Sequence, residues 1–312
     1  MMPLDLEAPI YVAGHRGLAG SAIVRRLQRE GATRILTRDR KELDLRNQEA
    51  TNAFFKTERP AYVFLAAAKV GGIYANSSYP ADFIGDNLAI QTNVIHSAWQ
   101  HGARKLLFLG SSCIYPRDCP QPIKEDYLLT GPLEATNEAY AIAKIAGLAM
   151  CQAYRRQHGF DAISAMPTNL YGPNDNFHPE NSHVLPALIR RFVGAADHKT
   201  DNVTVWGSGK PLREFMHSDD MADAALFLMN NYSDVAPMNI GSNDEVSIAS
   251  LAQIVASTAG FRGDIIWDAS KPDGTPRKRL DSTRLLDLGW RPSIPLKEGI
   301  DEVVAWFRQH YP

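Results

Sequence analysis

The stretch PIYVAGHRGLAGSAIVRRLQREGA, residues 9–32, decides the fold. PIYVAG (9–14) reads as a buried strand, and AGSAIVRRLQREGA (19–32) places apolar residues at helical spacing and ends on glycine. Between them Gly14, Gly17 and Gly20 form a GxxGxxG turn rather than GxGxxG. Glycines here permit a tight turn and close backbone approach to a pyrophosphate, which then sits at the positive end of the helix. A glycine-rich turn of this kind can be merely structural. Its place at the first strand–helix turn is the one a dinucleotide site requires.

Moving outward, TRILTR (33–38), AYVFLAA (61–67) and KLLFLGSS (105–112) read as further strands, with helical stretches around 47–58 and 86–101. Strands alternating with helices predict an α/β fold, a Rossmann-type doubly wound parallel sheet with active-site residues at the carboxyl ends of its strands. AISAMPTNL (162–170) reads as a late strand of that sheet. Loops rich in Pro, Gly and Asn follow in YGPNDNFHPENSH (171–183). The expected division is a dinucleotide-binding domain over 1–170, rejoined by part of 213–245, and a smaller α/β substrate lobe over 171–312.

Composition sets the class. Lys and Arg number 33 against 35 Asp and Glu, so no basic surplus calls for nucleic acid. No apolar run reaches the ~20 residues that span a bilayer, and MMPLDLEAPIYVAG lacks the basic start of a leader peptide. Cys113, Cys119 and Cys151 are too few and too irregular for a disulfide framework or a zinc site. A reduced, cytoplasmic enzyme without metal, nucleic-acid or membrane partners is expected.

The choice of dinucleotide turns on the second strand. An acidic residue at its end would bind the ribose 2′-hydroxyl of NAD. Here it ends Thr37-Arg38-Asp39-Arg40, and Arg16 lies inside the glycine loop. Arginine forks suit a 2′-phosphate, although Arg38 and Arg40 taken singly read equally well as solvated loop charges. Arg16 tips the expectation to NADP(H).

TNEAYAIAKIAGLAMCQAYRRQHG (136–159) reads as a long helix, with Thr136 or Asn137 placed to cap it and Gly159 to end it. Tyr140 and Lys144, four residues apart, share one face. A phenol with pKa near ~10 becomes a usable acid–base when a neighbouring ammonium favours its ionised form. Such spacing is a common accident on helices. It gains weight beside the glycine loop and Ser111 and Ser112 at a strand end. In GSSCIYP (110–116), Cys113 is either a small buried hydrophobe or a reactive thiol.

Together the Gly14, Gly17 and Gly20 loop, the strand-end serines and Tyr140-Ala-Ile-Ala-Lys144 resemble the extended short-chain dehydrogenase/reductase family. WGSGKPLREFMHSDDMA (206–222) resembles the segment with which its sugar-nucleotide members hold a diphosphate. LAAAKVGGI, GSSCIYP, PTNLYGPNDNFHP, NSHVLPALIRRF and DASKPDGTPRK are similar to members that epimerise and then reduce a GDP-linked 4-keto sugar. The resemblance covers about residues 10 to 280, and the tail, 281–312, adds little to it.

It implies GDP-4-keto-6-deoxy-D-mannose as substrate, epimerised at C3 and C5 and then reduced at C4 by NADPH. It assigns Ser111 and Tyr140 to the C4 oxygen, Cys113 as base, His183 as acid, and Lys144 to hold the nicotinamide ribose and lower the tyrosine pKa. It adds Arg40, Asp44, Leu45, Leu109, Gly110, Pro167, Asn169, Leu170 and His183 to the cofactor contacts. The sugar nucleotide falls to Arg191, Trp206, Arg213 and Asp273. Bland alternatives stand beside these: Trp206 as core, His183 as a helix cap or an exposed residue. Cys119, Cys151 and His217 read as structural, and Lys69 with Gly71-Gly72 edges the substrate site. The family also implies a homodimer through a helical bundle that includes the YxxxK helix. A 4-epimerase or dehydratase of the same fold, which for dehydration would need Asp-Glu where Ser112-Cys113 stands, and a catalytically silent NADP-binding scaffold are the alternative functions.

Overall fold

Six parallel strands form the centre of the computed structural model, which describes residues 3–271 and 273–311. The chain runs β1 (Ile10–Ala13), α1 (Leu18–Arg29), β2 (Ile35–Leu36), α2 (Gln48–Glu58), β3 (Tyr62–Leu65), α3 (Ile73–Ser78), α4 (Pro80–Gln100), β4 (Lys105–Leu109), α5 (Glu138–His158), β5 (Asp161–Pro167) and β6 (Asn169–Tyr171). It continues through α6 (Val184–Asp197), β7 (Asn202–Trp206), β8 (Leu212–His217), α7 (Ser218–Asn231), β9 (Met238–Ile240) and β10 (Glu245–Ser247). The last elements are α8 (Ile248–Ala259), β11 (Asp264–Asp268), β12 (Arg277–Lys278), α9 (Thr283–Asp287) and α10 (Leu296–His310).

The main sheet has the order β2-β1-β3-β4-β5-β9. Every residue of β1, β3 and β4 is buried, as expected for parallel strands covered on both faces. Alternation then divides them: Ile10, Val12 and Phe64 face α1 and α7, while Tyr11, Val63 and Phe108 face α2, α4 and α5. Lys105 starts β4 yet is buried. Its ammonium donates to the carbonyls of Leu228, Met229 and Tyr232 at 3.4, 2.9 and 2.5 Å, satisfying the end of α7 and pinning it to the sheet.

Three differences from the sequence reading have physical causes. The 33–38 strand shrinks to Ile35–Leu36 at the sheet edge. The fourth helix begins at Pro80 rather than near 86, proline being suited to a first helical turn. The late strand is two strands. β5 stays in the main sheet, and β6 leaves it to pair with β8. Thr168 is the joint, its N–H donating to Ile240 O at 3.0 Å. At the carboxyl end, Ile300, Val303, Val304 and Phe307 of α10 complete a third core with α6 and α8. Gly159 ends α5 in the left-handed conformation as expected, but Asn137 occupies the cap position without a side-chain bond. Among the described residues no helix is long and apolar enough to cross a membrane.

The loop after β6 carries a buried carboxylate. Asp175 Oδ1 accepts from Asn176 N at 2.7 Å, while Oδ2 has no partner. Burial pushes its pKa up to about 7, outweighing the bond from Asn176. The folded chain therefore holds a proton that the unfolded chain releases, and stability falls as pH rises from the ordinary carboxylate range toward 7. Asp175→Asn should gain about 1–3 kcal/mol over the parent between pH 5 and pH 8. Urea unfolding at the two pH values checks this, and parallel changes in both proteins would refute it.

Candidate active site

Geometry explains two of the three loop glycines from within the chain. Gly14 has φ +84°, and a Cβ there would lie 2.8 Å from Ala67 Cα on the strand-end of β3. On Gly20 a Cβ would overlap Gly14 O. Gly17 is different: φ is −82° and a Cβ would meet only Gly14 O, at an ordinary 3.5 Å. Nothing in the chain forbids a side chain at the N-cap of α1. The first turn of α1 has no acidic residue, so its N-terminus suits a pyrophosphate.

Around the end of β2, Arg16 and Arg40 are exposed. Arg16 Nη2 lies 2.9 Å from Asp39, and Arg40 Nε lies 3.8 Å from Asp44. The Asp39 carboxylate is already engaged by the N–H groups of Lys41 and Glu42 at 2.8 and 3.0 Å. Those backbone bonds, that of Glu42 first, hold its pKa below the usual range. Arg38 is withdrawn, donating to Glu58 at 2.6 Å and lying over Phe54. Arg46 holds the Asp44 carboxyl down to about 2, and Leu45 O accepts from Asn93 Nδ2 at 2.9 Å.

β4 stops at Leu109, and Ser112–Ile114 form a single 3-10 turn. Ser111 Oγ caps it, accepting from Cys113 N at 3.2 Å. Tyr115 fixes the next residues by donating to Asn239 Oδ1 at 2.6 Å. From α5, Lys144 is buried and donates to Leu109 O at 2.7 Å. Burial lowers its pKa to about 8. Tyr140 lies alongside, with the ammonium 5.8 Å from its ring centre. The phenol pKa is raised, first by burial and then by the Cys113 charge, against a bond from Ser111. The expected lowering by Lys144 does not prevail in the chain itself, and the phenol holds its proton at neutral pH. That is the form needed to donate.

Cys113 is half-buried, and its sulfur accepts from Lys278 Nζ at 3.6 Å. His183 is the N-cap residue of α6 without a side-chain cap bond. The residue is exposed to solvent. Desolvation first, then the Lys278 charge, lowers its pKa. The loop carrying it is docked on Gly72, whose N–H donates to Asn181 O at 2.9 Å. A Cβ on Gly72 would overlap Ser182 O. The Gly71-Gly72 turn thus seats the histidine loop, while Lys69 is engaged by Asp82 and Asp86 at 2.7 and 3.6 Å.

The sequence profile of the NAD dependent epimerase/dehydratase family matches residues 10–241. The chain belongs to this family. Within it, the chain is 63% identical to a putative GDP-L-fucose synthase 2 of Arabidopsis thaliana, over 98% of this chain and 94% of the relative. It is 52% identical to the GDP-L-fucose synthase of Escherichia coli strain K12, over 96% and 97%. The solved structure of a GDP-L-fucose synthetase from Naegleria fowleri bound to NADP is 32% identical. It superposes with a TM-score of 0.91, covering 99% of this chain and 97% of that one.

On the family scaffold, four further expected residues gather at the second lobe. Arg191 of α6 lies 5.8 Å and Lys271 5.4 Å from the Trp206 ring. Trp206 is 60% exposed, which excludes it from the core. Arg213 lies on β8 within the field of Asp273; burial lowers its pKa and the carboxylate opposes this. Asp273 itself clasps the turn after β7, accepting from Ser208 N and Oγ at 2.6 and 2.7 Å. Gly110, Pro167, Asn169 and Leu170 line the β4 and β5–β6 ends, with Asn169 Nδ2 donating to Glu214 O at 2.8 Å. Cys151 is buried, Cys119 packs against the core beside it, and His217 is buried against Tyr171. Lys278 escaped the sequence reading. Its one signal is position: it is the lysine of the basic triplet Arg277-Lys278-Arg279.

Gly17→Ala should fold with unchanged thermal stability yet bind a nicotinamide dinucleotide about tenfold more weakly or worse. Tryptophan-fluorescence titration reads the binding, and parent-like affinity would show that Gly17 meets no ligand.

Proposed function

We propose that this protein converts GDP-4-keto-6-deoxy-D-mannose to GDP-L-fucose by epimerisation at C3 and C5 followed by reduction at C4 with NADPH. The observation that carries the reading is the thiol of Cys113 set beside Tyr140 and Ser111 at the end of β4. The identity to fucose synthases over nearly the whole chain supports it.

The dinucleotide is held by residues 1–170 together with β9, and the sugar nucleotide by 171–312. Gly14, Gly17 and Gly20 admit the pyrophosphate, and Arg16 with Arg40 receives the 2′-phosphate that distinguishes NADPH. When bound, NADPH supplies the hydride that reduces C4. Arg191, Trp206, Arg213 and Asp273 hold the GDP end. Each fits its part: guanidinium forks for diphosphate, an exposed indole face for stacking, a carboxylate for hydroxyl or guanine N–H groups.

The C4 ketone acidifies C3 and C5, because removing either proton gives an enolate. Cys113 removes the proton from one ring face and His183 returns one to the other, in turn at C3 and C5. Desolvation makes His183 a stronger acid when protonated. Ser111 and the protonated Tyr140 donate to the C4 oxygen throughout, and Tyr140 gives up its proton when C4 is reduced. Lys144 is placed to hold the nicotinamide ribose. A dehydratase would need an Asp-Glu pair where Ser112-Cys113 stands. A second copy pairs through α4 and α5, where Ile142 is exposed; the three free cysteines fit a reducing cytoplasm.

Incubation with GDP-4-keto-6-deoxy-D-mannose should consume NADPH, followed by its absorbance; none consumed would sink this reading. Cys113→Ser should lower deuterium uptake from solvent at C3 and C5 by about 10²-fold or more while NADPH still binds. Unchanged uptake removes Cys113 from the chemistry. Tyr140→Phe should slow C4 reduction by about 10²–10⁴-fold, and full reductase activity in that variant would refute its acid role.

A further inference from the structure

The segment 277–281 threads between two parts of the molecule. β12 pairs with β8, placing Lys278 opposite Arg213. On its other side, Arg279 N donates to Gln121 Oε1 at 2.9 Å and Ile123 N to Arg279 O at 2.8 Å. Along an extended strand, alternate side chains point to opposite faces. Arg277 and Arg279 both turn to Glu245, at 2.7 Å for Arg277 Nε and 3.9 Å for Arg279 Nη1. Their charges are answered there. Lys278, between them, turns the other way, and its ammonium reaches the Cys113 sulfur at 3.6 Å.

We propose that Lys278 is a positioning residue of the epimerising centre, holding the Cys113 sulfur in place and favouring its anionic, base-competent form. The proposal rests on the reading of Cys113 as the base. An ammonium in hydrogen-bond contact stabilises a thiolate over a thiol. Tyr140 from α5 also lies in the field of the sulfur; its phenol holds its proton at neutral pH and so is uncharged. His183 from the α6 loop and Cys119 from the 3-10 side lie in the field of the same ammonium. One cation therefore acts in the same sense on both partners of the proton exchange, favouring the unprotonated form of the sulfur, which is the form able to take a proton, and making the protonated imidazole readier to give one up.

This arrangement is not a substitute for the diphosphate site. Arg213 is the neighbour across the strand pair, and a cation serving the diphosphate would be expected to act on substrate affinity alone. The two roles separate experimentally. In a Cys119→Ser background, the rate of Cys113 alkylation by iodoacetamide is followed by mass spectrometry from pH 6 to pH 9.5 without substrate. Lys278→Met should slow alkylation at pH 7 by about tenfold and move the pH profile alkaline by about one unit, whereas Lys278→Arg keeps most of the parent profile. NADPH binding certifies that each variant is folded. An unmoved alkylation profile in folded Lys278→Met overturns the proposal, including the case in which only the KM for the GDP sugar rises. Because the alkylation assay needs no turnover, it stands even if Cys113→Ser retains deuterium exchange. That latter result would defeat the proposed function and leave the Lys278–Cys113 coupling measured.

Discussion

The buried carboxylate of Glu214 is the constraint on which the two halves of the site depend. It is fully buried on β8, and its oxygens accept from Asn243 N at 2.8 Å and Leu280 N at 3.0 Å. Its own carbonyl accepts from Asn169 at the β5–β6 joint. One residue thereby ties the strand leaving the main sheet, the turn before β10 and the chain after β12. Burial raises its pKa, and the backbone donors, with Thr168 and the Arg279 charge, oppose that rise. Losing those bonds would leave each donor unpaired at a cost of about 1–3 kcal/mol.

From that hub the chemistry is placed by short connections. Asn239 works beside it on β9, donating to Ile123 O and Asp281 O while accepting from Tyr115. The loop bearing Cys113 and the strand bearing Lys278 are thus fastened to the same sheet edge. The histidine loop is seated separately, on a glycine turn too narrow for any side chain.

Much of this was legible in the sequence because it is local. The glycine loop, the buried strands and the Tyr140–Lys144 face all follow from spacing within one or two turns of chain. What escaped depends on partners distant in sequence. Arg38 looked as available as Arg40 until Glu58 claimed it. Lys69 looked like a cleft residue until Asp82 and Asp86 did the same. The strand read over 162–170 is correct as extended chain, but its change of sheet at Thr168 is a tertiary event with no period to announce it. The tyrosine–lysine pair was read correctly as neighbours, yet desolvation, more than any charge, governs both groups. Periodicity reports which face a residue is on, and says nothing of how dry that face is.

The contact between Cys113 and Lys278 joins positions 165 residues apart. Contacts of such separation close late, after the loop entropy of the intervening chain has been overcome. During synthesis the amino-terminal strands and the glycine loop emerge and condense first. A chain still on the ribosome thus has its nucleotide loop long before its sulfur meets an ammonium. Completion of this contact is in this way timed by the length of the polypeptide.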